Sequence, residues 1–425
     1  MSRDTVRQAS LAVFLVFALN GFNFANWAAR IPALRDELEL TPDRVGILLL
    51  IGSLGSIGAL PLSGLVVQRL GARRTVAIFA SINTAGLLIA AAGVDLGRIV
   101  VVGVGLVVFG VGTGVWDAAM NLEGAAVEQR LGRSIMPRFH AGFSFGTMAG
   151  AGAGALAAYL DASVLAHLAV TVGTSLALVL ACVQRFLPAG AEAAARGTAP
   201  GGGADGVLGA SPATPVHRGA RHTFGAWLEP RTLLIGVVVL AAALTEGAAN
   251  DWVSLAVVDG FDQSHATGAL TFALFVTAMT GMRLLGTGLL DRYGRIVVLR
   301  ATAVLSLVGL LLFGLAPSLW LALVGVVLWG FGAALGFPVG MSAASDEPLR
   351  AAARVSVVST IGYTAFLAGP PLLGLLAQHV GYRQALLAIA VPVVIGLLVL
   401  PAAAPRGAAA RRAAAGSPER VDPRA

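Results

Sequence analysis

Gly64-Leu65-Val66-Val67-Gln68-Arg69-Leu70-Gly71-Ala72-Arg73-Arg74 and Thr287-Gly288-Leu289-Leu290-Asp291-Arg292-Tyr293-Gly294-Arg295 are two copies of one basic turn, set 223 positions apart. Each copy follows a long apolar run and precedes another. The chain around them has 425 residues, 57% hydrophobic and only 12% Asp, Glu, Lys or Arg. Soluble chains carry about 25% charged residues, so half the usual solvating charge is missing. The mean hydropathy of +0.83 agrees. A water-soluble domain, a disordered chain and a fibrous repeat are excluded, which leaves an integral membrane protein.

Runs of about 20 apolar residues suffice to cross a bilayer as helices. Twelve can be placed, at roughly 9–29, 45–67, 75–93, 99–122, 139–160, 163–187, 232–257, 266–290, 296–316, 318–342, 355–378 and 382–402. No ten-residue alternation of the kind a β-barrel needs is present. The predicted fold is therefore an all-α polytopic membrane protein, with 12 transmembrane helices arranged as two six-helix bundles. The N-terminal bundle takes 1–188 and the C-terminal bundle 227–402. Between them, 189–226 contains Gly-Thr-Ala-Pro-Gly-Gly-Gly-Ala-Asp (197–205) and reads as a flexible cytoplasmic linker. The Ala-, Arg- and Pro-rich stretch 403–425 reads as a disordered cytoplasmic tail.

The net charge of +7 comes entirely from arginine, since the chain has no lysine. With the N-terminus inside, twenty-three arginines fall in cytoplasmic segments and five outside: Arg30, Arg35, Arg44, Arg98 and Arg383. That bias predicts cytoplasmic termini and needs no nucleic-acid partner. The lone Cys182 excludes an internal disulfide and a cysteine metal cluster. Without lysine there is no Walker motif, so ATP-driven transport by this chain alone is excluded. Gly142-Phe143-Ser144-Phe145-Gly146 matches a nucleophile elbow in letters only, because it lies in an apolar helix with no strand before it. No enzyme activity, cofactor or metal is expected.

The repeat extends beyond the turns. Arg138, His140, Ser144 and Gly146 fall opposite Arg354, Ser356, Thr360 and Gly362, all offset by 216. Spans 1 and 7 carry Asn26-Trp27 and Asp251-Trp252. The doubled turn in a 6+6 chain resembles the major facilitator superfamily over roughly residues 9–402. Within it, Trp116-Asp117-Ala118-Ala119-Met120-Asn121 resembles the span-4 signature of fucose-permease-like sugar:proton symporters and of related bacterial inner-membrane chains. Those symporters carry a carboxylate in span 1, whereas this span 1 offers Asn20, Asn23 and Asn26. In the family resembled, the basic turns latch the cytoplasmic side by pairing with acids at the ends of neighbouring spans. The resemblance so implies gating by Arg69, Arg73, Arg74 and Glu123 in one half, and by Asp291, Arg292, Arg295 and Asp346 in the other. Gln68 stands where Asp is expected, which makes the N-terminal latch the weaker. Plain topology signalling by arginine is the simpler alternative.

Polar residues inside spans are informative, because a charge at the bilayer centre costs about 2.5–3.5 kcal/mol on insertion scales. Asn20, Asn23, Asn26 and Trp27 fall within one third of the span-1 circumference. They suit a hydrogen-bonding solute, or inter-helix bonding. Asp117 shares a face of span 4 with Gly110, Thr113, Gly114 and Asn121, and can carry a proton. Glu246 lies deep in span 7, with Asn250 one turn on, as proton carrier, substrate ligand or structural partner. Arg283 either grips a substrate anion with its planar fork or neutralises Asp117. Gly142, Gly146, Gly150 and Gly154 in span 5 form a close-packing face, and Gly369-Pro370-Pro371 should kink span 11.

The reading is a monomeric secondary transporter in the cytoplasmic membrane. Its partners are a small polar, sugar-like solute, protons and the lipid bilayer, and its mechanism is alternating access. Proton-driven efflux of amphipathic compounds and a non-transporting receptor or scaffold are the alternatives. In a Cys182→Ser background, Gly202→Cys in the linker should react with an impermeant maleimide only after permeabilisation. Labelling in intact cells would reverse the orientation.

Overall fold

The computed structural model describes residues 3–131, 135–187, 226–347 and 350–405. The predicted linker, except Ala226, and the tail beyond 405 lie outside the described residues. With no water in the hydrocarbon core, each backbone N–H and C=O must find a partner within its own segment, and helices meet that demand. The spans are α1 (Arg3–Ala28), α2 (42–70), α3 (72–95), α4 (Ile99–Leu131), α5 (Met136–Tyr159) and α6 (Val164–Cys182) in the first half. The second half has α7 (Pro230–Gly260), α8 (His265–Tyr293), α9 (Arg295–Leu315), α10 (Leu319–Ala344), α11 (Ala351–Val380) and α12 (Tyr382–Ala403). A short helix, Ile31–Glu37, lies between α1 and α2. The twelve spans match the sequence expectation, with α1 and α4 running past it at the termini side.

α2 and α3 follow one another directly and are separated by the turn at Gly71. Gly71 has φ 76° and ψ 158°, and Gly294, between α8 and α9, has φ 79° and ψ 160°. Side chains are essentially excluded from that backbone region, so glycine is required at both turns. The sequence repeat is thus a repeat of conformation.

Packing follows residue size. The glycine face of α5 meets α1: a Cβ at Gly142, Gly146 or Gly150 would run into the carbonyl oxygens of Phe14, Ala18 or Phe22, and one at Gly154 into the Ala29 side chain. Backbone-to-backbone approach of this kind is what holds helices together in lipid, where burial of apolar surface gives no drive. Each half has an aromatic core. Phe17 stacks on Phe139 at 5.8 Å in the first, and Trp329 meets Phe275 at 5.5 Å and Phe313 at 6.0 Å in the second. Leu11, Val100, Leu285, Trp320 and Leu398 are exposed around the outside, as lipid contact requires. α11 carries Pro370 and Pro371 within its helix.

Gly146→Ala should destabilise the protein in detergent by about 1–3 kcal/mol, the usual cost of overpacking a tight contact. Gly152→Ala, on the same helix with nothing within 4 Å of its added methyl, should leave the melting temperature unchanged or raise it. Equal melting curves for the two variants would remove the α1–α5 contact from the account.

Candidate functional site

Between the two halves lies a cavity of about 270 Å³, lined by α1, α2, α4 and α5 on one side and by α7 and α11 on the other. The first half contributes Asn20, Trp27, Thr113 and Asp117, and the second Glu246, Asn250 and Asp251. Aromatic residues from both halves join aliphatic and small residues in the remaining wall. Asn20, Trp27, Asp117, Glu246 and Asn250 are therefore brought together as the sequence suggested. Asn23, Asn26, Asn121 and Arg283 stand behind the wall.

The reason lies in helix geometry. At 3.6 residues per turn, Asn20 and Trp27 fall on nearly one line along α1, while Asn23 and Asn26 turn away by about 60° and 120°. Asn23 Nδ2 donates to Asn83 Oδ1 on α3 at 3.0 Å, and Asn83 Nδ2 donates to Thr113 Oγ1 on α4 at 2.9 Å. Asn26 Oδ1 meets His167 Nε2 of α6 at 2.7 Å, while Asn26 Nδ2 donates to the Phe22 carbonyl at 2.8 Å. Two of the three asparagines thus join helices. Asn83 and His167 escaped the sequence reading, although each is a polar residue within an apolar span. Asn20 differs: it is 4% exposed, lines the cavity, and its Nδ2 has no hydrogen-bond partner among the described residues.

On α4, Asn121 Nδ2 donates to the Asp117 backbone carbonyl at 2.9 Å, so this amide serves its own helix. Asp117 Oδ2 is buried without a hydrogen-bond partner among the described residues. Arg283 is paired elsewhere than expected. Its Nη2 donates to Glu246 Oε1 at 3.0 Å and Oε2 at 2.9 Å, so it neutralises Glu246 and not Asp117. Its Nε donates to the Ala334 carbonyl at 3.2 Å. Ala334 lies where α10 breaks, between Leu319–Ala333 and Gly336–Ala344. A carbonyl released by the break thereby regains a donor and fixes the arginine.

The two faces of the molecule carry separate ion networks. On the face that holds the termini, Asp346 accepts from Arg295 at 3.0 Å and from Arg231 at 3.0 Å. Arg231 also donates to the Ala402 and Ala404 carbonyls at 2.9 Å each, tying the end of α12 to α7. Glu229 bridges Arg350 at 3.0 Å and Arg354 at 2.6 Å, and the Arg354 hydrogen bond pulls its carboxyl down to about 2. These pairs lie within the second half. In the first, Glu123 is fully buried and accepts from the Leu187 amide at 2.6 Å. Arg69, Arg73, Arg74, Asp291 and Arg292 are exposed, and Arg292 lies over the Tyr293 ring.

On the opposite face the pairs cross between halves, which the sequence reading did not anticipate. Arg35, on the short helix Ile31–Glu37, pairs with Asp259 at the end of α7 and lies over the Tyr382 ring of α12. Asp36 meets His265 of α8 at 2.6 Å. Beneath them, Gly46 of α2 and Gly374 of α11 allow backbones to touch, since a Cβ on either would strike the Pro370 or Pro42 carbonyl oxygen. This end is closed.

The Major Facilitator Superfamily profile matches residues 13–353 and 235–423. An uncharacterized transporter of Sinorhizobium fredii, y4wD, is 31% identical over 392 residues, covering 89% of this chain and 96% of that one. In structure, the nucleoside transporter NupG superimposes with a TM-score of 0.71 at 17% identity, covering 94% of this chain and 98% of the other. The fucose:proton symporter FucP in its outward conformation gives 0.58 at 14% identity, with 92% and 98% covered. Doubled turn, twelve spans and matched sequence agree: the chain belongs to the Major Facilitator Superfamily.

Proposed function

We propose that the chain moves a small polar, hydroxyl-bearing solute of the sugar-like kind across the cytoplasmic membrane by alternating access, as a proton symporter. The observation that carries this reading is the cavity with walls from both halves, since rocking of one half against the other then exposes the same residues to either side. With the arginine bias placing the termini in the cytoplasm, the cross-half pairs Arg35–Asp259 and Asp36–His265 close the outer side, and the conformation is inward-facing. The Arg295–Asp346–Arg231 cluster serves the inner latch. It holds α7, the start of α9, the end of α10 and the end of α12 as one unit that moves together.

Of the two carboxyl groups marked from the sequence, proton coupling falls to Asp117 and not to Glu246. Glu246 already has a positive charge against both oxygens, so taking up a proton there would leave Arg283 uncompensated in a low-dielectric wall, at a cost of several kcal/mol. Asp117 has no such partner, and its buried Oδ2 can bind a proton without breaking an ion pair. Efflux by proton antiport is the second reading, favoured by the aromatic share of the cavity wall. The direction of gradient-driven flux separates the two.

In proteoliposomes with an imposed proton gradient, Asp117→Asn should abolish accumulation of the solute while exchange between equal pools continues. Glu246→Gln should impair both, because it leaves Arg283 unpaired beside the cavity. Accumulation that survives in Asp117→Asn and fails in Glu246→Gln with exchange intact would transfer the coupling role to α7. Survival in both variants would end the proton-coupling reading.

A further inference from the structure

The cavity wall is unevenly charged. It contains three carboxyl groups, Asp117, Glu246 and Asp251, and no cationic side chain. Arg283, behind the wall, offsets Glu246 alone. Asp251, on α7 beyond Asn250, is half-buried in this wall and has no ion-pair or hydrogen-bond partner among the described residues. An unmatched carboxylate in such a place is costly unless a proton or a positive charge joins it. With Asp117 assigned to the proton, Asp251 is the charge left over.

Two further features point to a ligand. Asn20 is almost fully buried on the same wall and its Nδ2 lacks an acceptor, so a bound molecule that brings a hydroxyl or ether oxygen would complete it. The rings of Phe24, Trp27, Phe109, Tyr363 and Phe366 face the same space. Aromatic faces attract ammonium groups, and the attraction grows when water is removed. Neutral polyols make poor use of that combination; a hydroxylated amine uses all of it.

We infer that the transported solute carries an ammonium group as well as hydroxyl groups, with Asp251 as its counter-ion, Asn20 as donor to its oxygen and the aromatic wall around its positive end. The inference rests on the transport reading and narrows its substrate class to amino alcohols and amino sugars. It also gives the first half and the second half each a hold on the same molecule, through Asn20 and Asp251.

Two matched pairs test this on the purified full-length protein in lipid nanodiscs at slightly alkaline pH. Choline is compared with its neutral carbon isostere, in which tert-butyl replaces trimethylammonium, and glucosamine with glucose. The charged member of at least one pair should bind about tenfold or more tighter than its neutral partner, a factor equivalent to about 1.4 kcal/mol. Asp251→Asn should erase that preference with the melting temperature retained. Asp95→Asn, which removes an exposed acid from the end of α3, should keep it. Equal affinity for both members of each pair, preference surviving in Asp251→Asn, equal loss in Asp95→Asn, or no saturable binding of either ammonium compound would each overturn the inference. Flux of the same compounds in proteoliposomes keeps the two readings apart. A neutral solute that binds and is transported leaves transport standing and removes the amine. An ammonium compound that binds through Asp251 but never crosses leaves the amine and removes transport.

Discussion

The contact between Arg283 Nη2 and both oxygens of Glu246, at 3.0 and 2.9 Å, sets the terms for the rest of the site. An arginine and a glutamate facing a cavity between apolar helices are tolerable only together, because removing either leaves a bare charge in a medium that solvates it poorly. Their pairing ties α7 to α8, and the arginine's bond to the Ala334 carbonyl adds the broken part of α10. The second half therefore has a rigid polar centre beside the cavity. The same pairing also decides what remains chemically open, since with Glu246 satisfied, Asp117 and Asp251 are the carboxyl groups with capacity for a proton or a cation.

The first half solves the same problem with neutral groups. Asn23, Asn83 and Thr113 link α1, α3 and α4, while Asn26 and His167 link α1 to α6. Amides cost less to bury than charges and can donate and accept at once. Glycine contacts also lock α1 to α5, so this half is tightly packed. The interfaces between halves are of another kind. They consist of exposed ion pairs and small-residue contacts between α2 and α11 at one end, together with packing of α5 on α8. The exposed pairs are worth about 0–1 kcal/mol each, so the ion pairs at that end can open at little cost.

The fold was legible because its signals were repeated and large. Twelve apolar runs, an arginine bias and a turn written twice left one architecture, and the matched backbone angles at Gly71 and Gly294 explain why the turn recurs. The glycine face of α5 was also readable, although its partner α1 was not. The site was legible only in part. A helical wheel marks the polar side of α1 but not which neighbour each residue meets, so Asn23 and Asn26 looked equivalent to Asn20. The partner of Arg283 depended on which two helices lie side by side, and no spacing within a single helix reveals that. The Arg35–Asp259 pair joins residues 224 positions apart. Read singly, Arg35 is one of few arginines on its side and Asp259 one of several loop acids.

The central claim is that two stiff halves rock around the shared cavity, closing one face as the other opens. Spin labels can measure this on both faces in a Cys182→Ser background. One pair would span the closed face, at Glu37 and Gln263, and the other the termini face, at Gln68 and Tyr293. Asp259→Asn, which breaks the Arg35 link, should lengthen the first distance and shorten the second in the same molecules. A first distance that lengthens while the second stays fixed, or no change in either, would contradict the account.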